Sequence, residues 1–538
     1  LLGLLPSFEP VPARDSTLHA AMVTASGEAP PLAPTILPRL RAGDRLDVFH
    51  RLADEKNGWF LTHCALAGIS RPRIGRTEGW AEATATEDWD PADFSEGAPA
   101  TWVAVRWAPG HWYDRYGSRL DSSNDQLMTQ RVPPALVRRA GERSQAERCP
   151  QLSLVHVRWG EPVPPCCEGP GGWGAIGAPP SDVHIGRWER HVFESLGPTY
   201  EVLSVFVNSS DDLAKLQPQL LRPLFEGRSL AALYFLWPTA REDGHGLEAF
   251  VEAEKLLALM ARMEAGGLST SFPHPSHLYR LLASKAWLAQ ACLCPQLKVP
   301  LTTRVARQEV ARDPKAAADR ALEALAHLGA LTGRGATRSG DSGSDDLPSG
   351  VAKVGWSWEG KGVWHFDSAQ VLSEALQDLT GQLGGTADSV FVQAWAPGEV
   401  ELRLFLVGLD AARPETWAPA HTSYTTWKSH EMHAFHLFRK FDRQGCLSEC
   451  FQGDESALAD AEMQARELIG HWIPWLLAQS HELPSVLRLD VLAHRSAPGQ
   501  ATIATMELTE LGGCHCGWEE GPEVIFAAML RSCLRPLA

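Results

Sequence analysis

Apolar and polar positions form two recurring patterns from residue 200 onward. Residues 200–208 (YEVLSVFVN) and 230–239 (LAALYFLWPT) are continuous apolar runs of strand length. Residues 246–267 carry apolar side chains at helical spacing and close on a glycine pair. Strands that alternate with amphipathic helices predict an α/β domain built on a largely parallel sheet.

A lysine interrupts a later apolar run. Residues 351–354 read Val-Ala-Lys-Val, and a loop with Gly355, Gly360 and Gly362 follows. A strand lysine offers a compact positive charge, and a glycine-containing loop can bring backbone N–H groups close to an anion. Taken alone, Lys353 fits a surface lysine better than a ligand site.

Charged residues alternate with apolar ones after the apolar run VFVQAW. Glu399, Glu401 and Arg403 share one face of a predicted strand, and the intervening apolar residues share the other. An edge strand with a solvated face and a strand that lines a site both remain open.

A predicted hairpin follows nearer the C-terminus. Arg488 and Asp490 lie on one face of an apolar strand, and the next strand ends in Glu507 and Thr509 after the turn sequence SAPGQ. Antiparallel pairing would bring Asp490 near Glu507. Two adjacent carboxylates repel each other unless a cation lies between them, and oxygen ligands on a hairpin suit magnesium.

The first third of the chain has a different organisation. Residues 1–40 are rich in proline and alanine and are predicted to be disordered or extended. Several short apolar runs over residues 41–145 predict two small β-rich, barrel-like modules. Residues 146–190 are rich in proline and glycine and are predicted to be a linker. The aromatic residues of the modules suit small cores better than a recognition groove.

Composition narrows the function. The 538 residues carry a formal net charge of −16, which argues against a nucleic-acid-binding protein but leaves room for a local phosphate site. No apolar run is long enough to span a membrane.

The eleven cysteines are odd in number and scattered, so they indicate reduced thiols and a cytoplasmic location. Cys514, His515 and Cys516 lack a second ligand pair, which disfavours a metal site there.

The order of these residues resembles the ATP-grasp superfamily, in particular its peptide- and amide-ligase branch, which includes D-alanine–D-alanine ligase and glutathione synthetase. The motifs are a lysine after HPSHLYRLLAS, a strand lysine before a glycine loop, Q-x-W before a Gly-Glu turn, R-x-D, and E-x-T-x-x-G. The resemblance covers about residues 200–537. It implies an α+β fold, with an α/β pre-domain over residues 191–280 and an ATP-grasp domain over residues 281–538.

The resemblance also implies a role for each matching residue. By this resemblance, Lys285 and Lys353 would contact phosphate, and backbone groups of Gln393, Ala394 and Trp395 would contact adenine. Glu399 or preferably Glu401 would bind the ribose, and Arg488 would stabilise phosphoryl transfer. Magnesium would be bound by Asp490, Glu507 and Thr509. Thr509 stands where the family usually has asparagine, and Glu510 is an alternative ligand. The loop GWSWEGKG would close over the site and exclude water.

The implied activity is an ATP- and Mg²⁺-dependent ligation of a carboxylate to an amine through an acyl phosphate. Two alternatives are a catalytically weak nucleotide-binding scaffold whose N-terminal modules recruit a protein partner, and a kinase-like transfer. Lys428, Arg439 and Lys440 are candidates for holding a small-molecule carboxylate, although a surface location suits each one better singly.

Overall fold

The computed structural model describes residues 37–51, 60–61, 73–91, 102–108, 112–113, 119–120, 128–149, 152–159, 198–221, 230–239, 250–334, 349–356, 362–383, 388–427, 438–480, 482–509, 518 and 520–533. Several predictions lie outside these residues: those for residues 1–36, for the loop after Trp356, and for Lys428, Glu510, Cys514, His515 and Cys516. No described helix has the length and apolarity to cross a membrane.

The first structural unit is a large mixed sheet. Its strands are β1 Arg45–Arg51, β2 Phe60–Leu61, β3 Arg73–Ala85, β4 Val103–Trp107, β5 Trp112–Tyr113, β6 Arg119–Leu120, β7 Thr129–Val132, β8 Val137–Arg139, β9 Leu152–Trp159, β10 Tyr200–Val207, β11 Leu230–Phe235 and β14 Leu268–Phe272. A separate parallel pair joins β12 Trp237–Thr239 to β13 Phe250–Glu252.

The parallel part of this sheet is the predicted α/β pre-domain. Strands β10, β9, β11 and β14 are neighbours in that order and run parallel. Strand β9 (LSLVHVRW) is buried over seven of its eight positions, and a nearly continuous apolar run suits a strand that is covered on both faces. Helix α4 Ala253–Ala265 packs its apolar stripe into the same core.

Two of the predicted domain boundaries need correction. Strand β9 lies inside the stretch predicted to be a linker, residues 146–190, yet it is a central strand of the sheet. Strand β10 also pairs antiparallel with β3, so the N-terminal strands are joined to the pre-domain sheet rather than forming separate modules. Local proline and glycine content could not reveal either pairing, because β9 finds its partners far away in the sequence.

The second unit is a small α+β lobe. Its antiparallel sheet has the order β15 Thr302–Ala306, β18 Ser389–Ala394, β16 Gly350–Val354 and β17 Val363–Phe366. Helices α8 Pro314–Thr332 and α9 Ala369–Gly381 cover one face with their apolar side chains. Asp313 caps α8 by accepting a hydrogen bond from the Ala316 N–H, with proline at the first helical position.

The third unit is a larger lobe around an antiparallel sheet. The strand order is β21 Phe438–Phe441, β20 His421–Trp427, β19 Val400–Val407, β22 Val486–Ala497 and β23 Gln500–Thr509. The long helix α11 Glu455–Gln479 packs on one face of this sheet and leaves the other face to the small lobe.

The remaining described helices are α1 Gln145–Arg148, α2 Ser210–Lys215, α3 Pro218–Leu221, α5 Ser276–Ala283, α6 Trp287–Ala291, α7 Arg307–Arg312, α10 Arg443–Glu449 and α12 Gly521–Cys533. The α+β fold class predicted from the sequence is confirmed.

Candidate functional site

The face of the larger sheet opposite helix α11 carries polar and charged side chains. Directly paired residues on neighbouring strands share a face, and the register pairs Glu401 with Thr425, Arg403 with Asp490, and Asp490 with Glu507. Strand β19 lies between β20 and β22, so it is not a solvated edge strand. That interpretation of the charged strand is wrong.

A β-bulge places Glu507 on this polar face. Asp490 pairs with Glu507, but the next pair along the ladder joins Val491 to Thr505, which leaves Met506 as an extra residue. Thr505 faces helix α11, since its hydroxyl accepts a hydrogen bond from Trp472 Nε1 at 3.2 Å. Strict alternation would have turned residue 507 toward that same core, so the bulge is what brings the second carboxylate beside the first.

Two buried ion pairs lie side by side on the polar face. Arg488 donates from Nε and Nη2 to the two carboxylate oxygens of Asp490, both at 2.7 Å. Arg403 donates from Nε and Nη2 to Glu401 Oε2 at 2.9 and 2.8 Å. All four side chains are buried. Buried ion pairs contribute little net stability relative to apolar residues of similar volume, so their presence together favours a functional site.

Two lysines approach the carboxylates from other elements. Lys285 Nζ lies 3.6 Å from Glu507 Oε1, and Lys285 occupies the break between α5 and α6 with φ of 60°. Lys353, on β16 of the small lobe, is 5% exposed. The pKa of Lys353 is lowered to about 7, mainly by burial and then by the nearby charge of Lys285, and Glu507 opposes both effects. The two lobes therefore meet at these side chains.

Backbone contact holds the Lys285 and Lys353 segments against each other. The Trp356 N–H donates to the Ala283 carbonyl at 2.9 Å. A Cβ at Gly355 would overlap the Ser284 carbonyl oxygen. Glycine at position 355 thus permits the main chain after β16 to touch the end of helix α5, immediately before Lys285.

We expect Gly355→Ala to lower the free energy of unfolding by about 3 kcal/mol, because two backbone segments would have to separate. Gly470→Ala is the control, since Gly470 is an exposed residue inside α11 with no atom within 4 Å of its would-be Cβ. The free energy of unfolding of Gly470→Ala should rise by up to about 1 kcal/mol. Chemical denaturation measures both, and equal stabilities would show that the Gly355 contact does not exist.

The predicted adenine and ribose residues lie near the site, but several are already engaged. The Ala394 N–H donates to the Leu301 carbonyl at 2.8 Å, and the Trp395 N–H donates to the Ser349 carbonyl at 2.9 Å. Both N–H groups are therefore engaged within the protein in this structure, and adenine binding through the backbone groups of Gln393, Ala394 and Trp395 stays a prediction.

The ribose candidates differ in exposure. Glu399 is exposed, whereas the favoured Glu401 is buried and accepts from Arg403 and from the Thr425 hydroxyl at 3.2 Å. Glu401 in this arrangement orients Arg403, and of the two carboxylates Glu399 is the one open to solvent.

The structure gathers five predicted residues into one chain of neighbours: Lys353, Lys285, Glu507, Asp490 and Arg488. Thr509 lies across the ladder from Arg488, and not from Asp490. Among the residues described, no three His, Cys, Asp or Glu side chains are grouped to hold a metal ion. Asp490 and Glu507 are the carboxylates that could share one.

Sequence reasoning missed Arg403 and Thr425 as members of the site. The alternation of Glu399, Glu401 and Arg403 showed that Arg403 shares a face with Glu401, but not that this strand is central. Thr425 gave no signal in the sequence, since an isolated threonine in a β-strand is ordinary.

Several solved structures are similar to this chain at low sequence identity. The structure of D-cycloserine synthetase DcsG is 17% identical, and the match covers 71% of this chain and 100% of that one, with a TM-score of 0.42. D-alanine–D-alanine ligase from Bacillus anthracis is 11% identical over 72% of this chain and 98% of its own, with a TM-score of 0.39. An ATP-grasp RimK domain protein from Sphaerobacter thermophilus is 15% identical, covers 71% and 98%, and has a TM-score of 0.34.

No protein-family model matches the chain, and no curated protein matches it significantly. Likenesses at these identities and TM-scores carry no function over to this chain. Within its own fold, the chain has a parallel-sheet domain followed by two α+β lobes, and Lys353 of one lobe lies near Glu507 of the other. This organisation agrees with the α+β class predicted from the sequence.

Proposed function

We propose that the chain binds ATP between its two lobes and joins a carboxylate to an amine. The observation that supports this proposal is the meeting of Lys353 and Lys285 with the Asp490–Glu507 pair. When Lys353 is protonated, Lys285, Lys353, Arg403 and Arg488 carry four positive charges against three negative charges on Glu401, Asp490 and Glu507, so the site suits an anion. A nucleotide triphosphate satisfies both the cations and, through a bound metal, the carboxylates.

Each residue has a physical task in the proposed reaction. Lys353 and Lys285 neutralise phosphate oxygens from opposite sides. Arg488, held in a fixed plane by Asp490, faces the transferring phosphoryl group and the tetrahedral centre that forms when an amine attacks the acyl phosphate. The site lies between two lobes, which excludes water that would hydrolyse the acyl phosphate.

The donor chemistry of Asp490 and Glu507 fits magnesium. A carboxylate has about four lone-pair positions, so Asp490 can accept two bonds from Arg488 and still bind a metal. Asp490 and Glu507 would hold the magnesium, which would supply positive charge against the transferring phosphoryl group. The positive charges of Arg488 and Lys285 already compensate the two carboxylates, so Mg²⁺ without a nucleotide should bind weakly at this site.

Magnesium should therefore bind together with the nucleotide. We expect calorimetric titration of Mg²⁺ into the protein alone to give negligible heat at millimolar concentration, and titration in the presence of a non-hydrolysable ATP analogue to give saturable binding. Tight Mg²⁺ binding without nucleotide would contradict the charge balance proposed for this site.

The test of function is ATP turnover with mixed substrates. ADP release should be slow with ATP and Mg²⁺ alone and should rise when mixtures of amino acids supply an acid and an amine. Free phosphate should appear together with a new amide, which mass spectrometry identifies. Phosphate that remains on a product would instead indicate a kinase, and no stimulation by any mixture would argue against a ligase.

One observation favours a second candidate, a nucleotide-binding scaffold. Thr509 supplies a hydroxyl where the resemblance expects an amide ligand, and its backbone pairs with Arg488 instead of Asp490. The N-terminal strands, which share a sheet with the pre-domain, would then position a protein partner. Saturable ATP binding without turnover is the result that selects this candidate.

A further inference from the structure

The side chain of Gln393 makes a contact that the proposed reaction does not yet use. Gln393 is 1% exposed, on the central strand β18 of the small lobe. Its Oε1 accepts a hydrogen bond from Lys353 Nζ at 2.9 Å. Its Nε2 donates to Thr302 Oγ1, also at 2.9 Å. The sequence suggested only a backbone role for this residue.

The direction of these bonds follows from their far end. Thr302 Oγ1 donates its one hydrogen to the Pro300 carbonyl at 2.8 Å, because a carbonyl can only accept. The hydroxyl oxygen is then left to accept, so the nitrogen of the Gln393 amide must face it. The amide oxygen therefore faces Lys353. A reversed amide would point N–H groups at an ammonium and at the same time lose its acceptor.

We propose that Gln393 is a positioning residue for Lys353, and that Thr302 and the Pro300 carbonyl set the direction in which its amide points. This inference rests on the proposed function, since it assumes that Lys353 serves a phosphate. One Lys353 proton is bound by the amide oxygen, and the other two remain for phosphate oxygens. The amide also supplies the acceptor that a buried ammonium needs in order to stay charged.

The charged groups that face Lys353 come from two other elements. Lys285 lies at the end of α5 and disfavours the ammonium, and Glu507 on β23 favours it. Gln393 is the neutral acceptor on the adjacent strand. Without the Gln393 amide, Lys353 should lose its proton at a lower pH. With a glutamate at position 393, Lys353 should keep its proton up to a higher pH.

The test compares Gln393→Leu with Gln393→Glu, using an ATP analogue and Mg²⁺ across pH 5.5–9. The leucine variant should bind the analogue roughly tenfold more weakly than the unsubstituted chain at pH 8, and the loss should be smaller at pH 5.5. The reason is that Lys353 in this variant loses its proton at a lower pH. The glutamate variant should keep its affinity to higher pH than the unsubstituted chain. Thr302→Val should shift the pH profile of affinity in the same direction as Gln393→Leu, but by a smaller amount. Thr302→Ser should have the profile of the unsubstituted chain.

Gln464→Leu is the matched control. Gln464 is half-buried in α11, where its Nε2 donates to Asp460 and to the Ala501 carbonyl, both at 2.9 Å. Its loss should lower stability without moving the pH profile. NMR titration of the Lys353 side chain without nucleotide adds an independent measurement, and its midpoint should fall in Gln393→Leu.

The outcomes separate the two proposals. Absence of ATP binding in the unsubstituted chain overturns the proposed function and this inference with it. ATP binding whose pH profile is the same in Gln393→Leu as in the unsubstituted chain overturns the inference alone. An unmoved Lys353 midpoint in the NMR titration likewise overturns the inference alone.

Discussion

Asp490→Asn is expected to reduce ATP turnover by on the order of 10²- to 10³-fold, a loss typical of removing one preorganised electrostatic contact to the transition state. The substitution removes a negative charge that the proposed magnesium requires. It also leaves Arg488, which is buried, with a neutral partner that cannot accept two charge-assisted bonds. ADP release under saturating ATP and substrate mixture measures the effect.

Stability must be separated from chemistry in that experiment, because losing one partner of a buried ion pair is itself destabilising. The chain offers a matched control in Arg138 and Glu147, which form a buried pair in the N-terminal region with Nε at 3.0 Å and Nη2 at 2.6 Å from Glu147 Oε1. Glu147→Gln should cost comparable stability and leave turnover unchanged. Unaltered turnover in Asp490→Asn would remove Asp490 from the site.

Lys353→Met should weaken ATP binding by about 2 kcal/mol, roughly 30-fold, the contribution expected of a hydrogen bond to a charged group. Methionine keeps the length and apolar stem of lysine, so packing is nearly preserved. Lys255→Met is the control, because Lys255 is a surface residue paired with Asp211 and Glu252. Affinity equal to that of the unsubstituted chain in Lys353→Met would place the phosphates elsewhere.

The pH dependence gives the same substitution a second signature. The pKa of Lys353 in the folded protein is lowered to about 7 from 10.5, so above pH 7 ATP binding must take up a proton. Affinity should fall by up to about tenfold per pH unit above 7 and be flat below it. Lys353→Met should lack this slope.

Stability should respond to pH as well. Between pH 7 and 10.5 the unfolded chain holds a Lys353 proton that the folded chain has released, so this lysine makes stability rise with pH across that window. The burial penalty is fully present below pH 7, where Lys353 is charged in both states. Lys353→Met should therefore raise the unfolding midpoint most below pH 7, and a lowered midpoint there would contradict the burial described for Lys353.

Local patterns were sufficient for many elements of this protein. The apolar run of β10 forms the predicted strand, and the helical spacing predicted over residues 246–267 forms α4 over Ala253–Ala265, although Phe250–Glu252 is a strand. The hairpin of β22 and β23 forms and brings Asp490 near Glu507, as the turn between them predicted. Each of these features depends on neighbours within about 18 residues along the chain, which is the window over which side-chain periodicity is read.

Other features depended on partners far away in the chain. Strand β9 looks like part of a linker until β10 and β11 flank it, because flanking prolines and glycines dominate its local composition. The sequence placed Glu401 on a charged face, but it gave no sign that its carboxylate accepts hydrogen bonds from Arg403 and Thr425 in the folded chain. The hydrogen-bond donors that reach a carboxylate on a strand depend on which strands lie beside it. The spacing of residues along the sequence does not show which strands are neighbours.

The sequence by itself determined the α+β class, the order of the site residues and the face of β22 on which Arg488 and Asp490 lie, because these follow from periodicity along single elements. The tertiary structure alone decided that a bulge at Met506 turns Glu507 onto that face, and that Gln393 presents an oxygen to Lys353. The physical reason is that ladder register and hydrogen-bond direction are properties of pairs of strands.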